Sequence, residues 1–463
     1  MRWRIAAVRL ESILFVLLLV VYIWPRDTDL GPNVNAHLSQ ALAIAVDRTL
    51  AIDNYANSSF TYTIDWARAP DGKLYPAKAP GCALALAPVI WVMVQAERAV
   101  GVDPLGGGAI WRKAILGNWI LNAFPSALCM VLLFRIGLGL GIPAADSLIG
   151  TLAVALGTAY HPYATSFYAH APAANLLIVA SATTFRRSGK SWFDAVGGIA
   201  AGFAVVFDYP AALAVAACAI AVLALRRTAV LWFVAGGVLP LAVLLAYQQA
   251  VFGSPLATPY QFQNPVFMPQ TGSVFGAPNL RVLAALLVSP YRGLLFYSPV
   301  LIAAIPGAIA LWHSRSLPQD GASGRQRLYV AFSLATLAAW LLLNASYHTW
   351  SGGYTTGPRF VVPAVVLLAP LLACGWRRFP VITTILLCWS MLNQLAIASV
   401  WMQVPDQYSN PLVEVIYPRF VTGNFIRSNL GMRLGLPGLW SVLPVVVALT
   451  GALLLSRREL RKA

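Results

Sequence analysis

The chain has 463 residues, of which 59% are hydrophobic and 10% are charged, and its formal net charge is +16. A soluble domain usually has about a quarter of its residues charged, so this composition excludes an ordinary soluble protein. The excess of positive charge does not indicate nucleic-acid binding. The basic residues form short clusters beside apolar runs, as they do at the cytoplasmic ends of membrane helices. The sequence therefore predicts a membrane protein with no nucleic-acid partner.

Apolar runs recur along the chain from Ile13 to Leu455. They are continuous, unlike the alternating segments of a β-barrel, and a backbone in lipid must satisfy its own polar groups. We therefore predict an all-α polytopic membrane protein with about 12–13 transmembrane helices, forming one integral membrane domain over residues 1–463. The five cysteines lie in or beside the apolar runs without metal-binding spacing, so they are predicted to be small packing residues.

The first apolar run follows a basic start, and no signal-peptidase motif follows it, so residues 1–24 are predicted to form an uncleaved first helix. This helix starts inside the cell, because the basic residues precede it. The remaining spans then alternate so that every arginine pair is inside. Four longer segments are predicted to be external: 25–82, 252–295, 347–360 and 403–436.

One segment does not fit this alternation. Parity requires residues 84–99 to begin and end outside, so we predict a shallow or re-entrant helix there. The neighbouring basic residues Arg98, Arg112 and Lys113 favour an internal position instead. The sequence leaves the path of this segment open.

The first external segment, residues 25–82, holds many of the chain's acidic residues. Its carboxylates are Asp27, Asp29, Asp47, Asp53, Asp65 and Asp71. A water-facing loop collects polar residues without any catalytic role, but this loop is also patterned. Residues 33–50 have the apolar spacing of an amphipathic helix that lies at the membrane interface. A carboxylate here could take a proton from an acceptor group, so the segment is predicted to carry the active site.

The same segment ends in a turn that contains Lys78. Pro76, Pro80 and Gly81 surround this lysine immediately before an apolar run, which predicts a tight turn at the level of the lipid headgroups. A lysine there is either a phosphate ligand or an ordinary side chain that extends to the interface. The turn makes Lys78 a candidate phosphate ligand.

Four further residues are candidates because they lie at the predicted external ends of helices. His170 heads a span, and Asp208 lies at the end of another span, where acidic residues are often functional. Arg292 directly precedes a span. Arg359 follows a glycine-rich loop over residues 350–357, and such a loop with a fixed guanidinium can hold a phosphate or a sugar.

Taken together, these motifs resemble the GT-C glycosyltransferases, polytopic enzymes that use polyprenyl-phosphate sugars. The similarity is greatest to the bacterial branch related to protein O-mannosyltransferases and the aminoarabinose transferase of lipid A. The residues that carry the resemblance are Asn33/Asn35, Asp53/Tyr55, Thr63/Asp65, Gly72/Tyr75/Lys78/Pro80/Gly81, Arg292/Gly293/Leu294 and Trp350/Gly352/Gly353/Gly357/Pro358/Arg359.

The resemblance implies a GT-C-like fold and a catalytic aspartate in the first external loop. Asp29 is one candidate base, because the family's acidic pair directly follows the first helix. If Asn33 occupies that acidic position, Asp65 or Asp53 becomes the base. The resemblance also implies that Lys78 touches the lipid phosphate.

Other residues are assigned supporting roles by the same resemblance. Arg292 and Arg359 are expected to help Lys78 with the donor phosphate, and Tyr75, His170 and Asp208 are expected to support the site. No metal ligands are assigned. The resemblance leaves room for a divalent metal, although no ligand cluster in the sequence indicates one.

The predicted function is therefore a membrane glycosyltransferase in the cytoplasmic (inner) membrane with its active site facing outward. Its partners would be a polyprenyl-phosphate sugar donor, membrane lipids and a lipid, glycan or protein acceptor. The alternatives are a transporter or flippase of lipid-linked saccharide, and a non-catalytic lipid-binding protein. A transporter would carry polar groups in the middle of broken helices, whereas here the polar motifs crowd one predicted face.

Overall fold

The computed structural model describes residues 2–26, 30–187, 189–268, 273–314 and 322–461. Within these ranges the chain is mostly helical, and its strands form two short antiparallel pairs. Seven helices of the described part are apolar and long enough to cross a membrane, and shorter apolar helices accompany them. The prediction of an all-α polytopic membrane protein is confirmed.

The elements of the first part of the chain surround the first external segment. They are α1 (Arg2–Ile23), β1 (Pro25–Arg26), α2 (Pro32–Leu42), α3 (Asp53–Ala56), β2 (Trp66–Arg68), β3 (Leu74–Pro76), α4 (Gly81–Ala99), α5 (Gly107–Asn118) and α6 (Phe124–Gly139). A π-helical turn joins α5 to α6, so the two form one long helix.

The elements of the rest of the chain are mainly hydrophobic helices. The middle part contains α7 (Ala144–Gly157), α8 (Tyr160–Ala164), α9 (His170–Thr184), α10 (Trp192–Phe207), α11 (Ala212–Leu225), α12 (Ala229–Phe252), α13 (Leu280–Val288), α14 (Leu294–Tyr297) and α15 (Ala304–Trp312). The last part contains α16 (Ala322–Ser346), α17 (Val362–Val365), α18 (Ala369–Arg378), α19 (Pro380–Val400), α20 (Tyr417–Thr422), β4 (Ser428–Asn429), α21 (Leu430–Arg433) and α22 (Leu443–Leu460).

Glycines allow neighbouring helices to approach closely. Gly198 of α10 faces α12, where an added Cβ would lie 1.8 Å from the carbonyl oxygen of Phe233. Gly236 of α12 faces back toward α10, and Gly307 and Gly375 form the same reciprocal arrangement between α15 and α18. Small residues at such contacts are typical of membrane helices, because lipid supplies no hydrophobic force between helices and close packing has to hold them together.

The four segments that were predicted to be external meet at one end of the helix bundle. Strand β1 pairs with β4, which joins the first segment to residues 403–436. An isolated bridge joins Ala67 to Gln263, and another joins Phe275 to Tyr347. These contacts link all four segments, so their polar residues share one end of the bundle.

Ion pairs made by the arginine clusters lie at the opposite end. Asp194, near the start of α10, is 2.7 Å from Arg186 and 2.9 Å from Arg226. Arg226 also donates to the carbonyl oxygen of Thr184, at the end of α9. Because α9 begins and α10 ends at the end where the four segments meet, these arginines are separated from it by the length of the bundle.

Helix α4 covers the segment that did not fit the alternation. It is continuous and is long and apolar enough to cross a membrane. Gly81 at its start lies against Phe207, and Gly107 at the start of α5 lies against Phe60 of the first segment. The path of this segment relative to a membrane stays a prediction.

Two of the basic residues that favoured an internal position for α4 share one carboxylate. Lys113 is fully buried, pairs with Glu97 and donates to the carbonyl oxygen of Pro104 at 2.9 Å. Arg112 is 3.1 Å from the same Glu97 carboxylate. This pairing ties α5 to the end of α4, and the position of both relative to a membrane stays a prediction.

Candidate active site

The hairpin of β2 and β3 brings the first pair of charged residues together. Its register pairs Trp66 with Pro76, and the amide of Ala77 donates to the carbonyl oxygen of Asp65 at 2.9 Å. Asp65 comes just before β2 and Lys78 just after β3, so this register places the two residues side by side at the open end of the hairpin. The lysine Nζ lies 3.1 Å from Asp65 Oδ2.

The environment of Lys78 disfavours its charge. Burial lowers the pKa of the Lys78 ammonium, and Arg359 lowers it further, whereas the carboxylate of Asp65 opposes the shift. The side chain is 23% exposed, and the residue lines a cavity.

The antiparallel helices α9 and α10 bring the second pair together. His170 is the first residue of α9, and Asp208 follows the last residue of α10, so both lie at the same end of the bundle. His170 Nδ1 is 3.0 Å from Asp208 Oδ2. The ring of Tyr168 stacks on the imidazole, and the rings of Tyr163 and Phe360 meet it edge-on.

Arg359 lies beside both pairs, at the end of the glycine-rich loop. Its side chain covers the ring of Phe360, and the residue is 9% exposed. Within the described part of the chain, no hydrogen bond or ion pair joins its guanidinium to another residue, and Nε is buried without a partner. Gly352 approaches this Nε closely and has a φ of +78°, a conformation that favours glycine. A buried guanidinium without a partner is costly unless a ligand supplies one.

These residues line a single cavity of about 370 Å³. Five of the nine predicted site residues take part in its wall: Asp65, Lys78, His170, Asp208 and Arg359. Aromatic side chains make up much of the rest, namely Phe207, Tyr209, Tyr260, Phe267, Tyr347 and Phe360. The wall thus holds two acid–base pairs and one cation that has no partner among the described residues.

Three of the other predicted residues lie outside the cavity wall or outside the described residues. Asp53 is exposed, and its carboxylate accepts a hydrogen bond from the backbone N–H of Leu74 at 3.2 Å. The hydroxyl of Tyr75 donates to Asp71 at 2.8 Å. Both side chains thereby stabilise the hairpin that positions Lys78. Asp29 lies outside the described residues.

Arg292, the remaining predicted phosphate ligand, also lies outside the cavity wall. It is fully buried and donates to the carbonyl oxygens of Ser351 and Gly353 at 2.9 and 3.0 Å. A third bond reaches the carbonyl of Tyr291, whose ring lies 3.9 Å from the guanidinium carbon. Its hydrogen bonds hold the glycine-rich loop in place beside Arg359.

We expect Arg292→Lys to lower the free energy of unfolding by about 3 kcal/mol, because a lysine cannot keep the three separate bonds of the guanidinium. Unfolding of the purified protein in detergent measures this change. Arg281→Lys on the exposed face of α13 is the matched control, with an expected change within about 0.5 kcal/mol. Parent-like stability of Arg292→Lys would show that these hydrogen bonds do not hold the loop.

Two residues of α2 join the cavity although the sequence did not single them out as site residues. Asn33 and His37 are one helical turn apart, so they share the face of α2 that lines the cavity. Burial, with a contribution from Lys78, lowers the pKa of His37 to about 3, so its ring is neutral. The Asn33 side-chain oxygen is buried without a hydrogen-bond partner. In the sequence, only their four-residue spacing could have indicated that Asn33 and His37 share a site. The aromatic residues of the cavity wall come from separate parts of the chain, and no spacing in the sequence connects them.

The described residues provide no group of three or more His, Cys, Asp or Glu side chains that could hold a metal ion. The largest relevant set is the pair of His170 and Asp208. A divalent cation such as Mg²⁺ or Ca²⁺ takes about six or more ligands, so it would need most of them from a substrate or water.

Fold and cavity together define a polytopic α-helical membrane protein with a charged, aromatic-lined site at one end of its bundle. No protein-family model matches the chain, and no curated protein matches it. Among solved structures, the chain is similar to the crystal structure of ArnT from Cupriavidus metallidurans bound to undecaprenyl phosphate. The two share 14% identity over 99% of this chain and 73% of that chain, with a TM-score of 0.48. A similarity of this extent assigns the chain to no family.

Proposed function

We propose that the protein is a membrane glycosyltransferase that moves a sugar from a polyprenyl-phosphate donor to an acceptor at the outer face of the cytoplasmic membrane. The observation that carries this proposal is the buried guanidinium of Arg359, which has no partner among the described residues and lies in a cavity wall with Lys78 and two proton acceptors. The sequence motifs that resemble the GT-C glycosyltransferases contribute three of these residues, Asp65, Lys78 and Arg359.

The charge of the cavity favours a phosphodiester. Lys78 faces Asp65, and His170 lies against Asp208, whereas Arg359 has no carboxylate partner among the described residues. A sugar linked to a lipid through one phosphate carries one negative charge, which would pair with Arg359. The phosphate would lie between Arg359 and Lys78, where the two cations also stabilise the charge that develops on the leaving phosphate.

The size and lining of the cavity favour a single sugar. Its volume of about 370 Å³ is at the lower end of the range for small-molecule sites. Neutral hydrogen-bonding groups, Asn33 and His37, lie beside the charged residues and suit sugar hydroxyls. Two groups of the wall are able to accept the proton of an acceptor hydroxyl, Asp65 and His170.

The experiment is to reconstitute the full chain in phospholipid vesicles with undecaprenyl phosphate that carries radiolabelled glucose, mannose or arabinose. A bacterial cell-envelope extract supplies acceptors. We expect one donor to lose its sugar to an envelope component, and the Arg359→Gln variant to block that transfer. If no donor loses its sugar but labelled lipid crosses the vesicle membrane, the protein is a flippase. If it binds lipid and does neither, it is a lipid-binding protein.

A further inference from the structure

The imidazole of His170 is held in one orientation. Asp208 binds Nδ1 at 3.0 Å, and the stacked Tyr168 ring and the edge-on rings of Tyr163 and Phe360 enclose the ring plane. The His170 side chain is 9% exposed and the residue lines the cavity. The bond to Asp208 leaves Nε2 as the ring nitrogen that is free to take up a proton, and a carboxylate on Nδ1 is the usual device for fixing that tautomer.

Asp65, the other proton acceptor of the wall, is differently placed. Its carboxylate is 3.1 Å from the Lys78 ammonium, so the cation already occupies one of its oxygens. The same pairing positions Lys78 beside Arg359. Asp65 is therefore assigned to the phosphate end of the cavity. His170 forms no ion pair with a cation among the described residues.

Resting on the glycosyltransferase function proposed above, we propose that His170 is the general base of the reaction and that Asp208 is the residue that positions it. His170 Nε2 takes the proton of the acceptor hydroxyl while the acceptor oxygen forms its bond to the anomeric carbon. The bond between that carbon and the phosphate oxygen breaks, and its electron pair leaves with the polyprenyl phosphate. The imidazolium then returns the proton to water.

The first test is His170→Gln in the full-length protein, assayed with the donor that the parent uses. We expect kcat to fall by about 10²–10⁴-fold, the usual contribution of a general base. Binding of undecaprenyl phosphate should be unchanged, which also shows that the variant is folded. His313→Gln, at the other end of the bundle, is the matched control and should keep the parent's rate.

Asp208→Asn tests the positioning role. An amide at this position can donate to Nδ1 and leave the ring proton on Nε2, so kcat should fall while KM for the donor stays at the parent's value. Asp208→Glu keeps a carboxylate and should recover part of the lost kcat. A loss of donor binding together with kcat, or no recovery by Asp208→Glu, would overturn the positioning role.

Asp65→Asn separates the two bases. If His170 is the base, Asp65→Asn weakens donor binding through Lys78 and lowers kcat less than His170→Gln does. If His170→Gln keeps the parent's kcat and Asp65→Asn loses it, the base is Asp65 and the proposal fails. If the parent itself transfers no sugar from any donor, the glycosyltransferase function fails first.

A measurement that needs no donor covers the case in which His170→Gln does not fold. Diethyl pyrocarbonate modifies neutral imidazoles, and mass spectrometry locates the adducts. We expect His170 to be modified in the parent protein. A parent that is active but unmodified at His170 would overturn the proposal, because its Nε2 would then be closed to an acceptor.

Discussion

Replacing Arg359 with glutamine is expected to weaken the binding of undecaprenyl phosphate by roughly 100-fold, the size of effect seen when one partner of a buried charge pair is removed. The guanidinium is 9% exposed and has no partner among the described residues, so a bound phosphate would supply its counter-charge. Titration of the purified protein with fluorescent undecaprenyl phosphate measures the change.

The same substitution should not destabilise the protein without ligand. A buried charge without a partner disfavours folding, so its removal is expected to raise the unfolding temperature of the free protein. Binding and stability thus change in opposite senses. Arg281→Gln, which removes the same charge from an exposed position of α13, should change neither. Undiminished binding by Arg359→Gln, or a parallel loss of stability and binding, would refute the anion-binding role.

Replacing Lys78 with glutamine is expected to weaken the same binding by about 10–100-fold, the strength of one charge-assisted hydrogen bond. Lys73→Gln is the control, because Lys73 is exposed in the turn of the same hairpin. Lys78→Gln leaves the carboxylate of Asp65 without its cation, so the double variant Lys78→Gln/Asp65→Asn is needed to show that the loss is not one of folding. Parent-like binding by the double variant would remove Lys78 from the phosphate site.

Lys78 also gives binding a dependence on pH. Burial lowers the pKa of its ammonium from the ordinary value of about 10.4. Only the protonated form attracts a phosphate, so binding should weaken as the pH rises through that lowered pKa, before an exposed lysine would lose its proton. Lys78→Arg should abolish this decline, since a guanidinium stays charged. A decline that persists in Lys78→Arg would have to come from another group.

The pairing of charges in the cavity explains how a membrane protein can keep five ionisable side chains close together. Lys78 pairs with Asp65, and His170 is hydrogen-bonded to Asp208, which offsets the cost of partial burial. Arg359 has no such partner among the described residues. An unpaired cation of this kind suits an anion-binding site. Arg292 holds the glycine-rich loop beside it, and such support keeps a binding residue in position before the ligand binds.

Several features of the protein were predictable from the sequence because they depend on local properties. Hydropathy and run length determine that the chain is an all-α membrane protein, since a backbone in lipid has no other solution. The arginine clusters predicted which segments lie together at the far end from Asp194. The prolines and glycine around Lys78 predicted a tight turn, and the structure has Lys78 in the cavity wall.

Only the tertiary structure decided which polar residues meet. The hairpin register joins Asp65 to Lys78, and the antiparallel packing of two helices joins His170 to Asp208. Asp53 and Arg292 looked as suitable in the sequence, but backbone groups of neighbouring segments take their hydrogen bonds. A polar side chain forms a hydrogen bond with whichever donor or acceptor the folded chain brings within about 3 Å. The polar segments at one end of the bundle were therefore predictable from the sequence, whereas the choice of Arg359, Lys78 and His170 as candidate site residues required the fold.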